Sequence, residues 1–84
     1  MSTLYHRLLR QRISSLTAEF ARLEVERDEA IRSRHSATAP EQKRQSIERI
    51  VRAMGALRQV EKRLHHAKRL LAHAQGDDYV FRVV

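Results

Sequence analysis

Leu9-Arg10-Gln11-Arg12-Ile13-Ser14-Ser15-Leu16-Thr17-Ala18-Glu19-Phe20-Ala21-Arg22-Leu23 places Leu9, Ile13, Leu16, Phe20 and Leu23 at successive steps of four, three, four and three. An alternation of three and four keeps every apolar residue on one stripe of an α-helix, which is the heptad seam by which one helix packs along another. Arg27 and Ala30 continue the register, and Ser2 or Thr3 supplies an oxygen to cap the start. The first helix is therefore expected from about residue 3 to about residue 34.

Immediately downstream, Ser36-Ala37-Thr38-Ala39-Pro40-Glu41 breaks the stripe. Thr38 and Glu41 have the spacing of a capping box, and proline is tolerated in a first turn because its missing N–H has no intrahelical acceptor there. A second helix, about residues 39 to 75, carries Ile47, Ile50, Met54, Leu57, Val60, Leu64, Ala67, Leu71 and Ala74. Read this way, the seam takes one extra step of three between Leu57 and Val60, a local shift of register. Gly76 is placed to end the helix in a left-handed cap.

Two helices of this length, joined by about four residues, must run antiparallel. The expected class is therefore all-α, a coiled-coil-like two-helix hairpin over residues 1 to 76. Folding about residue 37 sets Leu23 near Ile50 and Val51, Phe20 near Met54, Leu16 near Leu57, Ile13 near Val60, and Leu9 near Leu64. Leu8, Val25, Ile31, Val51 and Leu70 fall on the flanks of that single seam, so a homodimer forming a four-helix bundle is expected to cover them. Gly55 stands mid-helix between residues that favour helix, at a cost of about 1 kcal/mol relative to alanine, and is expected to admit Phe20 or the close approach of another helix.

The chain then changes character. After Asp77-Asp78, the stretch Tyr79-Val80-Phe81-Arg82-Val83-Val84 alternates side chains as a strand does, with Tyr79, Phe81 and Val83 on one face. A lone strand leaves its backbone groups unpaired, so residues 77 to 84 are expected to pair with a symmetry mate, lie along the helices as a strap, or add to a partner's sheet, with a disordered tail as the remaining alternative.

Seventeen Lys and Arg against ten Asp and Glu give a net charge of +7. Residues 1 to 35 hold seven Arg and five acids (+2), whereas residues 36 to 75 hold nine Lys or Arg and three acids (+6). The positive field thus belongs to the second helix. There Arg58, Lys62, His65, His66, Arg69 and His73 form a ridge on the side away from the seam, suited to phosphates, to an acidic protein, or only to keeping the chain in solution. No aromatic residue is interleaved for stacking on bases, and no glycine-rich phosphate loop is present.

Histidine spacing does not favour a metal, since His65, His66 and His73 lack the step of four that puts two imidazoles on one helix face, and the chain has no cysteine. The acidic run Glu24, Glu26, Asp28 and Glu29 reads as a salt-bridged surface, with Asp28 placed to pair with Arg32 and Glu24 or Glu26 facing the second helix. No cofactor, metal or small-molecule substrate is expected. Without cysteine, or an apolar run long enough for a signal peptide or a membrane span, the sequence is expected in the cytoplasm.

Two resemblances bear on function. Leu9-Arg10-Gln11-Arg12-Ile13-Ser14-Ser15-Leu16 followed by Glu26-Arg27 resembles the first helix of the small all-helical chorismate mutases, and by that resemblance Arg10 and Arg27 would hold a dicarboxylate substrate. The family's Arg-Glu pair early in its second helix is replaced here by Glu41-Gln42-Lys43-Arg44, and its third helix has no counterpart. In overall plan the hairpin is similar to Rop-type plasmid regulators, dimers of helical hairpins that bind RNA. The sequence as a whole is expected to specify a non-catalytic regulatory, adaptor or inhibitor protein that binds another protein, with RNA or DNA binding through the second helix as the alternative.

Overall fold

The computed structural model describes residues 4–74 as two α-helices, α1 (Leu4–Ser36) and α2 (Pro40–Ala74), packed along their whole length as an antiparallel hairpin. The expected tail, with Tyr79, Val80, Phe81, Arg82, Val83 and Val84, lies outside the described residues. So do the Ser2 or Thr3 cap and the Gly76 terminator. Among the described residues there is no strand.

Local chemistry fixes the turn. Pro40 opens α2 with its preset φ, and the Lys43 N–H donates to the Ala39 carbonyl at 3.1 Å, so Ala39 rather than Thr38 stands at the cap position. The expected capping box does not form, because the Glu41 carboxylate instead accepts from Arg44 at 2.7 Å and Gln45 at 3.5 Å along its own helix. At the end of α1, the Ser36 hydroxyl donates to the Arg32 and Ser33 carbonyls, and Arg34 and His35 stand in the last turn, where positive charge complements the helix dipole.

In the core, Leu16, Leu23, Leu57, Val60 and Ala67 form one buried cluster, with Ile13, Phe20, Ala56 and Leu64 packed against it; Leu9, Ala30 and Ala53 are also buried. On α1 His6, Leu9, Ile13, Leu16, Phe20, Leu23, Arg27 and Ala30 are all buried or half-buried and keep the expected alternation, with Glu19, Glu24, Ile31 and Ser33 half-buried at its sides.

On α2 the seam differs from the sequence reading. Ile47 and Met54 are exposed, at 43% and 47%, and the inward positions next to them belong to Ser46 and Ala53, at 5% and 3%. With that exchange the seam runs Ser46, Ile50, Ala53, Leu57, Val60, Leu64, Ala67, Leu71 and Ala74, an unbroken alternation of four and three. The register shift expected between Leu57 and Val60 is therefore absent. The cause is size: one row of α2, at every seventh residue, is Ser46, Ala53, Val60, Ala67 and Ala74, and small side chains facing α1 let the two helix axes approach closely.

Gly55 serves neither of the roles expected of it inside the hairpin. A Cβ built on it meets nothing within 4 Å, and the residue is exposed. Gly55→Ala is therefore expected to stabilise the hairpin by about 1 kcal/mol, read as a raised midpoint in thermal unfolding followed by circular dichroism.

Candidate functional site

Two surfaces come out of this packing. The first is an apolar face. Row by row, the seam is asymmetric: Leu9, Leu16, Leu23 and Ala30 of α1 and the small row of α2 are closed off, with Leu71 and Ala74 at the open end only half-buried, whereas Ile13 and Phe20 of α1 and Ile50 and Leu64 of α2 remain half-buried. Ile47 and Met54 lie one position outside that open row, and Val51, 64% exposed, lies beside them. Phe20, Met54 and Leu57 line a single shallow depression with Arg27, Arg58 and Glu61, which places the open rows of both helices on the same side. Ile47, Val51 and Met54 follow at steps of four and three, so they form one stripe along α2.

Tyr5, Leu4 and Leu8 are exposed at the open end of α1, and Val25 is exposed on its outer side. Ile31 and Leu70, both expected on the flanks, are half-buried.

The second surface is the basic ridge. Arg58, Lys62, His65, His66, Arg69 and His73 are all exposed on α2, as their positions opposite the seam require. Ion pairs among the described residues join Arg22 to Glu26 at 3.8 Å, Arg27 to Asp28 at 3.1 Å and Arg44 to Glu41 at 2.7 Å. None of them reaches Arg58, Lys62 or Arg69. Asp28 thus pairs with Arg27 rather than Arg32, and Glu26 pairs within α1 rather than across to α2. The reason lies in the seam: Arg27 occupies a half-buried core position, and its guanidinium escapes by turning outward to the neighbouring carboxylate.

Arg10 and Arg27, the arginines singled out by the chorismate mutase resemblance, are seventeen positions apart on one straight helix, about 25 Å of axial rise. Within one chain they do not converge on a single small dicarboxylate. The described depressions are shallow; one of about 390 Å³ lies at the turn, between Ser33, Ser36, Gln42, Ser46 and Arg49. Among the described residues no three His, Cys, Asp or Glu side chains gather as a metal site would need, and no helix is long and apolar enough to cross a membrane.

The residue that sequence reading missed is His6. It is buried in the seam, and its Nε2–H donates to the backbone carbonyl of Ala74 in the last turn of α2, where a helix supplies its carbonyls with no N–H donor of its own. A side chain from the start of α1 thus closes the end of α2. The signal was present in the register, since His6 stands three residues before Leu9. His6→Ala is expected to cost about 1 to 2 kcal/mol, lowering Tm by roughly 5 to 10 °C, and His6→Gln, which keeps an N–H donor, is expected to lose less.

No known protein family, characterised protein or solved structure shows significant similarity to the chain.

Proposed function

We propose that this chain is a small non-catalytic regulatory or adaptor protein, a homodimer of helical hairpins that works by binding another protein. One observation carries the reading: the molecule measures 58 × 27 × 13 Å, so it is a single layer of helices, and its open side presents Ile13, Phe20, Ile47, Ile50, Val51, Met54 and Leu64. Stable domains bury each apolar stripe against a second layer. Chains of this size commonly find that layer by self-association.

A second copy supplies a layer of the same length and the same apolar face, which is the isologous arrangement of a two-fold dimer. In that assembly the four helices enclose the open rows as a bundle core. The tail residues Tyr79 to Val84, with their alternating pattern, are proposed as the segment left to engage a partner chain. Sedimentation of the full chain tests the reading. A species of twice the 9.9 kDa chain mass is expected at micromolar concentration, and a species of 9.9 kDa persisting at about 100 µM would overturn it.

A further inference from the structure

We propose that the outer side of α2 is a binding surface for the phosphate backbone of a nucleic acid duplex, with Arg58, Lys62 and Arg69 as its contacts and without sequence preference. Three observations carry this. Between Arg49 and Ala74 the sequence has seven Lys or Arg residues and a single acid, Glu61. Arg58, Lys62 and Arg69 are exposed and take no part in the ion pairs that neutralise Arg22, Arg27 and Arg44. A rigid helix also sets them in a line, with about 16 Å of rise from Arg58 to Arg69, enough to reach phosphates on both sides of a groove about 12 Å wide.

The same ridge is poorly built for an acidic protein. Protein interfaces draw their affinity from apolar or aromatic anchors seated in pockets, with charge at the rim. From Arg58 to His73 the exposed positions of α2 hold cations, imidazoles, Gln59 and the one carboxylate of Glu61, and no large apolar side chain of that stretch is exposed. Phosphate binding needs no such anchor, because release of condensed counterions supplies the free energy.

The preference for a duplex over a single strand follows from the aromatics. Among the described residues the Phe and Tyr side chains are Tyr5 and Phe20, both on α1, so α2 offers unpaired bases only imidazole and guanidinium planes and none of the larger rings on which single strands stack best. Lys62 and Arg69 lie on the outer edge of the hairpin, whereas Arg58 stands at its margin, seven positions on from Val51 and in the depression with Phe20 and Met54, so the ridge borders the open face there.

The test is fluorescence anisotropy of the full chain with a labelled mixed-sequence DNA duplex of about 20 base pairs, against the single strand and a poly-glutamate peptide, across a salt series. Three phosphate contacts per chain give a slope of log affinity against log salt of about −3, with the duplex bound more tightly than either competitor. Lys62→Glu with Arg69→Glu is expected to weaken binding at least about tenfold and to reduce the slope by about two, with sedimented mass and helicity unchanged. Lys62→Gln with Arg69→Gln gives the same reading with smaller perturbation, and Arg32→Glu on α1 serves as the control, with a change below about threefold. The proposal is overturned by absence of duplex binding, by affinity unchanged in both ridge variants, by stronger binding to the single strand, or by poly-glutamate competing as well as the duplex, which would assign the ridge to an acidic protein.

Discussion

Val51→Glu combined with Met54→Glu should convert the proposed dimer to single hairpins while leaving the helices formed. Both positions are exposed in the hairpin, at 64% and 47%, and neither belongs to the buried cluster, so the substitutions remove no contact that α1 makes with the seam. In a two-fold dimer each change appears twice, so four carboxylates would enter a largely apolar contact, where Arg58, four positions on from residue 54, can partner one carboxylate per chain and Arg27 is already paired with Asp28. Burying an unpaired charge costs several kcal/mol, and about 3 kcal/mol already weakens the dissociation constant more than a hundredfold. Sedimentation and circular dichroism at one concentration check it together. A variant that keeps the mass of the unmodified assembly would show that this face is not the contact.

The second large effect is Leu57→Ala. Leu57 is 7% exposed and sits in the cluster with Leu16, Leu23, Val60 and Ala67. Truncating such a residue loses its transfer free energy and leaves a cavity, a cost of about 2 to 5 kcal/mol, which is a large part of the stability of a domain this small. The contrast is with Met54→Ala, three positions earlier. Its cost should be below about 1 kcal/mol at the lowest protein concentrations and should grow as the assembly fills, because Met54 lies outside the seam. Chemical denaturation at several concentrations separates the two. If Met54→Ala costs as much as Leu57→Ala at every concentration, the seam assignment on α2 is wrong.

Those two residues also show how far the fold was legible in the sequence. The periodicity of α1 was readable because its inward row is almost all large and apolar: Leu9, Ile13, Leu16, Phe20 and Leu23 announce themselves, and the turn at Pro40 fixes the hairpin. On α2 the inward row includes Ser46 and Ala53, which carry little hydrophobic signal, while Ile47 and Met54 one position on carry much. Hydrophobicity points to the larger neighbours. Close packing of two helices selects the smaller ones, and only the regular alternation of four and three across the whole helix discloses it. An internal clue existed, since the sequence reading had to accept a register shift that α1 does not share.

The surfaces divide in the same way. The ridge from Arg58 to His73 was legible because residues opposite a seam must be exposed, whatever the details of packing. That the ion pairs of Arg22, Arg27 and Arg44 leave out Arg58, Lys62 and Arg69 was not, since pairings such as Arg27 with Asp28 depend on how a half-buried arginine turns outward. His6 was hidden for the opposite reason. A histidine near a chain terminus signals nothing by itself, and its role follows from the antiparallel return that brings Ala74 beside it.

The central claim is that the open face of the hairpin, with Met54 in its middle, is covered in the working molecule. The most direct measurement is the rate at which hydrogen peroxide converts Met54 to its sulfoxide, followed by mass spectrometry of the full chain from nanomolar to high micromolar concentration, with free methionine as the reference. Oxidation depends on solvent access to the side chain, and Met54 is 47% exposed in the single hairpin. The account predicts a rate that falls at least about tenfold across the range, in step with the rise in sedimented mass, because coverage follows mass action. A rate that stays constant relative to free methionine while the mass doubles would place the contact elsewhere and contradict it.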